Sequence, residues 1–134
     1  MFSRYDKKEL SLVLNEIDKT IYVFQYGVYE NEESLKNINI KYTYEIKDNK
    51  YYVYVGMTSK KQNIAKLENY FNSQNIKAYV KEINLDDEFY NVIKQYDLLL
   101  DEAETNESIK TIMETVVAKF EEIILNDKNK RITT

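Results

Sequence analysis

The sequence predicts an α+β fold: a β-α-β-β-α-β unit closing into a four-stranded antiparallel sheet with two helices on one face, followed by a helical hairpin. Three observations carry this. The chain repeats itself when Gly27 is laid on Gly56, which places Tyr22 on Tyr51, Phe24 on Val53, Tyr26 on Val55, Leu35 on Ile64 and Ile38 on Leu67. Asp48-Asn49 can close a two-residue hairpin, because both residue types tolerate positive φ. After Leu85 the apolar period changes to that of helices, in two successive stripes.

In chain order, residues 1–8 are polar, and Leu10, Val13, Leu14 and Ile17 then fall on one face of a short helix, readable as a lid on the main domain or as the end of a stalk. Residues 21–27, IYVFQYG, form a strand closed by a glycine, residues 30–38 a short helix, and residues 40–47 a second strand. The Asp48-Asn49 turn sets the register: Ile46 opposite Tyr51, Tyr44 opposite Val53 and Tyr42 opposite Val55, all on one face. The third strand, YYVYV, ends on Gly56. Thr58 or Ser59 is expected to cap the next helix, whose Ile64, Leu67, Tyr70 and Phe71 share a face. Asn72 to Asn75 break that helix and Ile76 begins the fourth strand. Asp86-Asp87 can cap a helix with Phe89, Val92, Ile93, Tyr96, Leu99 and Leu100 in a stripe. Thr105-Asn106-Glu107 interrupt it, and Ile109, Ile112, Met113, Val116, Val117, Phe120, Ile123 and Ile124 form the next stripe before a polar tail. The expected organisation is therefore residues 1–20 as an N-terminal segment, 21–85 as the sheet domain, 86–126 as the hairpin and 127–134 as the tail.

Composition narrows the chemistry. The 134 residues hold no Cys and no His, which removes disulfides, thiol nucleophiles, zinc sites of the usual kind and imidazole bases. The net charge of −4 comes from mixed charges and not from a basic block, so no nucleic-acid footprint is visible. No apolar run approaches the ~20 residues that span a bilayer. Asp86, Asp87 and Glu88 sit at a helix start and Asp101, Glu102 and Glu104 at the hairpin bend, and neither group has the glycine-lined cleft that a carboxylate pair working on a glycan would want. Two isolated glycines supply no phosphate-binding loop. The expectation is a non-catalytic protein without metal or cofactor.

Strand alternation places Tyr22, Phe24, Tyr26, Val53, Val55, Ile76, Ala78 and Val80 on the buried face. The open face is then Val23, Gln25, Thr43, Glu45, Tyr52, Tyr54, Lys77, Tyr79 and Lys81. On that face Tyr52, Tyr54 and Tyr79 offer aromatic plates for the axial C–H patches of a sugar, and Gln25, Lys77 and Lys81 offer hydrogen bonds and positive charge. The same tyrosines also suit plain cross-strand pairing, Thr43 with Tyr54 and Glu45 with Tyr52.

Residues 21–85 resemble the SPOR domain of sporulation and cell-division proteins. The resemblance lies in Phe24-Gln25-Tyr26-Gly27, a strand with Gln before a hydrophobic residue and Gly, and in Val53-Tyr54-Val55-Gly56 followed by a polar turn into a helix. The first helix is short for the family, and Ile64 stands where a small residue is usual. The resemblance implies a ferredoxin-like sheet that binds peptidoglycan glycan strands lacking stem peptides and locates its parent protein at the septum or spore envelope. It also implies an N-terminal membrane anchor, hence a position on the extracytoplasmic face of the cell envelope if this is part of an anchored protein, and in the cytoplasm otherwise. Two other classes remain: an interaction domain or homodimer working through the C-terminal hairpin, and a single-strand RNA module, which shares the strand order but would want a basic, glycine-containing third strand.

Overall fold

The computed structural model of the protein describes residues 19–85 and 87–125. The helix expected from Leu10 to Ile17, Asp86 as a helix cap and the polar tail lie outside the described residues. The sheet contains β1 (Thr20–Tyr29), β2 (Thr43–Lys47), β3 (Lys50–Thr58) and β4 (Tyr79–Asn84) in the spatial order β2-β3-β1-β4, every neighbouring pair antiparallel. β1 and β3 are thus central, as the repeat predicts. The β2–β3 hairpin turns through Asp48 and Asn49, both with positive φ (53° and 64°), and holds Ile46 opposite Tyr51 and Tyr44 opposite Val53. The rings of Tyr44 and Tyr51 meet diagonally at 5.4 Å, which anchors that register.

β1 and β2 are connected through a 3₁₀ turn, Glu32–Asn37, in place of the expected helix over residues 30–38. Asn31 starts it by accepting from Ser34 N–H, and Leu35 is its one buried residue. The segment is too short and too charged to bury a helical face, so the backbone closes on tighter bonds. β3 and β4 are connected by α1 (Ile64–Ser73), with Leu67, Tyr70 and Phe71 buried as their spacing requires. β2 and β4 begin later than the sequence suggests, at Thr43 and Tyr79.

Neither glycine ends a strand. β1 continues to Tyr29 and β3 to Thr58, and neither glycine has positive φ. Gly56 answers to close packing: a Cβ there would stand 2.8 Å from Phe71 Cζ and 3.1 Å from Met113 Sδ. At Gly27 the Tyr29 ring fills the same space, 3.0 Å from where a Cβ would lie. The β1–β3 register pairs Phe24 with Gly56, Gln25 with Tyr54 and Gly27 with Val53. Val55 and Tyr26 are therefore each an extra residue, and the pairing bulges at both.

The hairpin consists of α2 (Asp87–Glu102) and α3 (Asn106–Phe120). Thr105 caps α3 by accepting from Ser108 N–H at 3.1 Å. α2 buries Phe89, Ile93 and Leu100 of the expected stripe and adds Asp97, while Leu99 is 55% exposed and Val92 and Tyr96 are only half-buried. The buried face therefore centres nearer Asp97. Its carboxylate accepts from Thr58 Oγ1 at 2.5 Å and from Ser59 N–H at 3.0 Å and also binds the Ser59 hydroxyl, which fastens α2 to the end of β3. Thr58 Oγ1 also accepts from Lys60 N–H at 3.1 Å and from Asn63 Nδ2 at 3.3 Å, and α1 begins after Asn63 with no side-chain cap.

The hairpin shares one core with the sheet, in which Phe24, Val55, Phe71, Phe89, Met113 and Phe120 belong to a single cluster. Val23 and Phe24 are adjacent, point to opposite faces and are both fully buried, so the sheet is covered on both sides at its centre. This corrects the expected open face: Val23, Gln25, Thr43, Glu45 and Tyr54 are buried. On the face expected to be buried, Phe24, Val53 and Val55 are, while Tyr22, Tyr26, Ile76, Ala78 and Val80 are partly exposed. Over Tyr54 the cover is α3, which lies against β3 and whose Phe120 sets its ring edge-on to Tyr54 at 6.1 Å with Phe89 edge-on behind it.

Candidate functional site

Cross-strand register builds one row through the sheet: Tyr79 on β4, Gln25 on β1, Tyr54 on β3 and Thr43 on β2. Paired residues share a face, so the four side chains project to one side. Tyr79 is 68% exposed, while Tyr54 is 1% exposed and Gln25 is buried. Tyr54 is thus no exposed plate. Its phenol donates to Glu45 Oε1 at 2.8 Å, and burial first, then the charge and hydrogen bond of Glu45, push its pKa far above the ordinary tyrosine range. It is a neutral donor that holds Glu45 in place.

Glu45 in turn has Lys47 Nζ at 3.5 Å from the same oxygen, and Lys47 lies over the Tyr52 ring, 5.8 Å from its centroid. Lys81 reaches the same ring from β4, with Nζ 5.5 Å from the centroid. Such distances lie within the range of attraction between a cation and an aromatic face. Tyr52, half-buried on β3, and Lys81, exposed on β4, therefore meet across β1 beside Tyr79. Lys77 is exposed in the segment before β4. Of the six residues that the sequence singles out, Tyr52, Tyr79 and Lys81 form an exposed rim, Gln25 lies buried beside it, Lys77 stands outside the strand, and Tyr54 supports from within.

Gln25 Oε1 and Thr43 Oγ1 are buried without a hydrogen-bond partner among the described residues. A buried acceptor left unmade costs about 1–3 kcal/mol, so each is a strain point. Both flank Tyr54 in the same row.

Sequence reasoning missed Lys47 altogether and treated Glu45 only as a pairing residue. The alternation of β2 carries the signal, since Thr43, Glu45 and Lys47 share the Tyr52 face. Of the carboxylates weighed for catalysis, Asp87 pairs with Lys19, and Asp101 with Lys60, whose hydrogen bond holds the Asp101 carboxyl below its usual range. Among the described residues there is no group of three metal-ligating side chains, and no helix is long and apolar enough to cross a membrane.

Comparison of the chain with protein-family models, with curated proteins and with solved structures gave no match.

Proposed function

We propose that the protein is a non-catalytic glycan-binding module of the SPOR type, with a ferredoxin-like sheet whose first helix has shrunk to the Glu32–Asn37 turn. Its ligand on this reading is the peptidoglycan glycan strand stripped of stem peptides, and its task is to hold a parent protein at the septum or spore envelope. The observation that carries the reading is Gln25, an amide whose Oε1 is buried and unpartnered in the same cross-strand row as the exposed ring of Tyr79. A sugar hydroxyl donating to that oxygen would remove the strain. Tyr79 and Tyr52 would stack on the ring C–H patches, and Lys81 would meet the lactyl carboxylate left when the stem peptide is removed. The site is smaller than the whole sheet face, because Phe120 covers Tyr54.

The test is retention of the purified chain on sacculi with and without amidase treatment, at low and high salt. Treatment is expected to raise retention, with little change between the salt conditions. Retention that ignores amidase, or that collapses with salt as counterion release would dictate, argues against the reading.

A second reading rests on a different observation. Leu98 and Leu99 are adjacent on α2 and are 61% and 55% exposed, which suits a protein partner or a second copy on the hairpin. Sedimentation of the parent and of a Leu98→Ser/Leu99→Ser chain distinguishes the homodimer form of it, since only the parent would associate.

A further inference from the structure

The hairpin leaves an apolar stripe beside its buried face. Val92, Tyr96, Leu99 and Ala103 follow one another at helical spacing, so they share one side of α2 and of the residue just past its end. Ala103 is buried and Val92 and Tyr96 are half-buried, but Leu99 is 55% exposed. At the bend this stripe opens into a groove of about 650 Å³ between α2 and α3. Leu99, Ala103 and Ile112 form its apolar lining, and Ser108, Thr111 and Glu107 line its α3 side. The groove is thus apolar on one side and polar on the other. Glu102, Glu104 and Glu107 are all exposed around it and form no ion pair among the described residues.

The chain itself supplies an occupant of matching chemistry. Lys19 pairs with Asp87, the first residue of α2, and Thr20 lies opposite Asn84 in the sheet. Residues 1–18 therefore join the fold at the start of α2, and a segment laid along that helix from there runs antiparallel to it. The sequence before Lys19 carries Leu10, Val13, Leu14 and Ile17 at helical spacing, preceded by Arg4, Lys7 and Lys8, which outnumber Asp6 and Glu9. As a helix, Leu10 to Ile17 spans about 10 Å, against about 18 Å of α2 from Asp87 to Leu99. Antiparallel packing thus sets the apolar group over Val92, Tyr96 and Leu99 and carries the basic group on to the acidic bend. We propose that the groove is the docking site of the chain's own N-terminal segment, residues 3–17, with its apolar face on the α2 stripe and Arg4, Lys7 and Lys8 against Glu102, Glu104 and Glu107.

The chain has no cysteine of its own, so Ser3→Cys accepts a single nitroxide in the full-length protein. Its paramagnetic broadening of backbone amides maps where the segment rests. Amides of residues 102–107 should lose most of their intensity, while those of Asp48 and Asn49, at the far end of β3 and about 26 Å along that strand from Thr58, should keep theirs. Val13→Ser/Leu14→Ser should abolish the pattern by removing the apolar face, and Lys7→Glu/Lys8→Glu should weaken it by setting acid against acid. In a mixture of nitroxide-bearing chain without isotope and isotope-labelled chain without nitroxide, the bend should not broaden. The proposal is overturned if residues 102–107 keep their intensity, if Asp48 and Asn49 broaden as much as they do, or if either double variant leaves the pattern unchanged. Broadening of the bend in the mixture also overturns it, because the occupant is then a second copy of the chain.

Discussion

Gly56 and Tyr54 show how single residues in this protein answer to packing where their types suggested something else. A glycine before a turn reads as a turn residue, yet Gly56 is glycine because Phe71 and Met113 occupy the place of its Cβ. Gly56→Ala must push the Phe71 ring out of a filled core, a strain of about 1–3 kcal/mol. Gly27→Ala is expected to cost less, because the Tyr29 ring above it is only partly buried and can turn aside. Chemical denaturation of the two variants checks the order. For Tyr54, an alternating strand suggests exposure, whereas the ring is buried and its hydroxyl bound to Glu45. Tyr54→Phe should lose about 1–2 kcal/mol for that charge-assisted bond. Because the folded state raises the pKa of Tyr54, its bond contributes fully below the unfolded value of about 10 and is lost as pH climbs above it. The parent should therefore lose stability more steeply above about pH 10 than Tyr54→Phe does, and melting curves across that range measure the difference.

Among the elements, those with strong periodicity were legible and those decided by a neighbour were not. The β2–β3 hairpin, its register and the buried face of α1 follow from Asp48-Asn49 and from the spacing of Leu67, Tyr70 and Phe71. The first crossover was read as a helix because Leu35 and Ile38 stand three apart, but one buried leucine cannot hold a helix to a sheet. An apolar count gives Phe89, Ile93 and Leu100 of the buried face of α2 and overlooks Asp97, an acid that becomes a core residue only through Thr58 and Ser59, nearly forty positions earlier. Those two residues do not cap α1 because the 3₁₀ turn Lys61–Asn63 stands between them and its first residue, Ile64. Asp97→Ala would remove the acceptor of the buried Thr58 hydroxyl proton and of the part-buried Ser59 N–H, at a cost of about 3 kcal/mol. Urea unfolding should show that loss, and a midpoint equal to that of the parent would mean that the hairpin is held by apolar contact alone.

At the scale of the whole molecule, the hairpin belongs to the core of the sheet, and this was the least legible feature. Two amphipathic helices with wide apolar faces announce that they must pack on something, and nothing in their sequence says that Phe120 lands on Tyr54. A chain ending at Leu85 would expose Tyr54, Gly56 and Phe71 together, and is expected to lack cooperative melting. Covering the sheet centre also confines the candidate site to Tyr52, Tyr79 and Lys81 around Gln25, while Lys47 and Glu45 enter it through contacts that cross-strand alternation alone did not weigh. A buried amide oxygen without a partner is a stability cost that only a ligand would offset, and this separates function from packing. Gln25→Met keeps the volume and removes the acceptor, so one variant measured two ways tests the claim most directly. The melting temperature should rise, by the equivalent of about 1 kcal/mol, while affinity for amidase-treated glycan falls roughly five- to tenfold. A variant that melts lower than the parent and binds denuded glycan equally well would contradict the assignment of Gln25 to a glycan site.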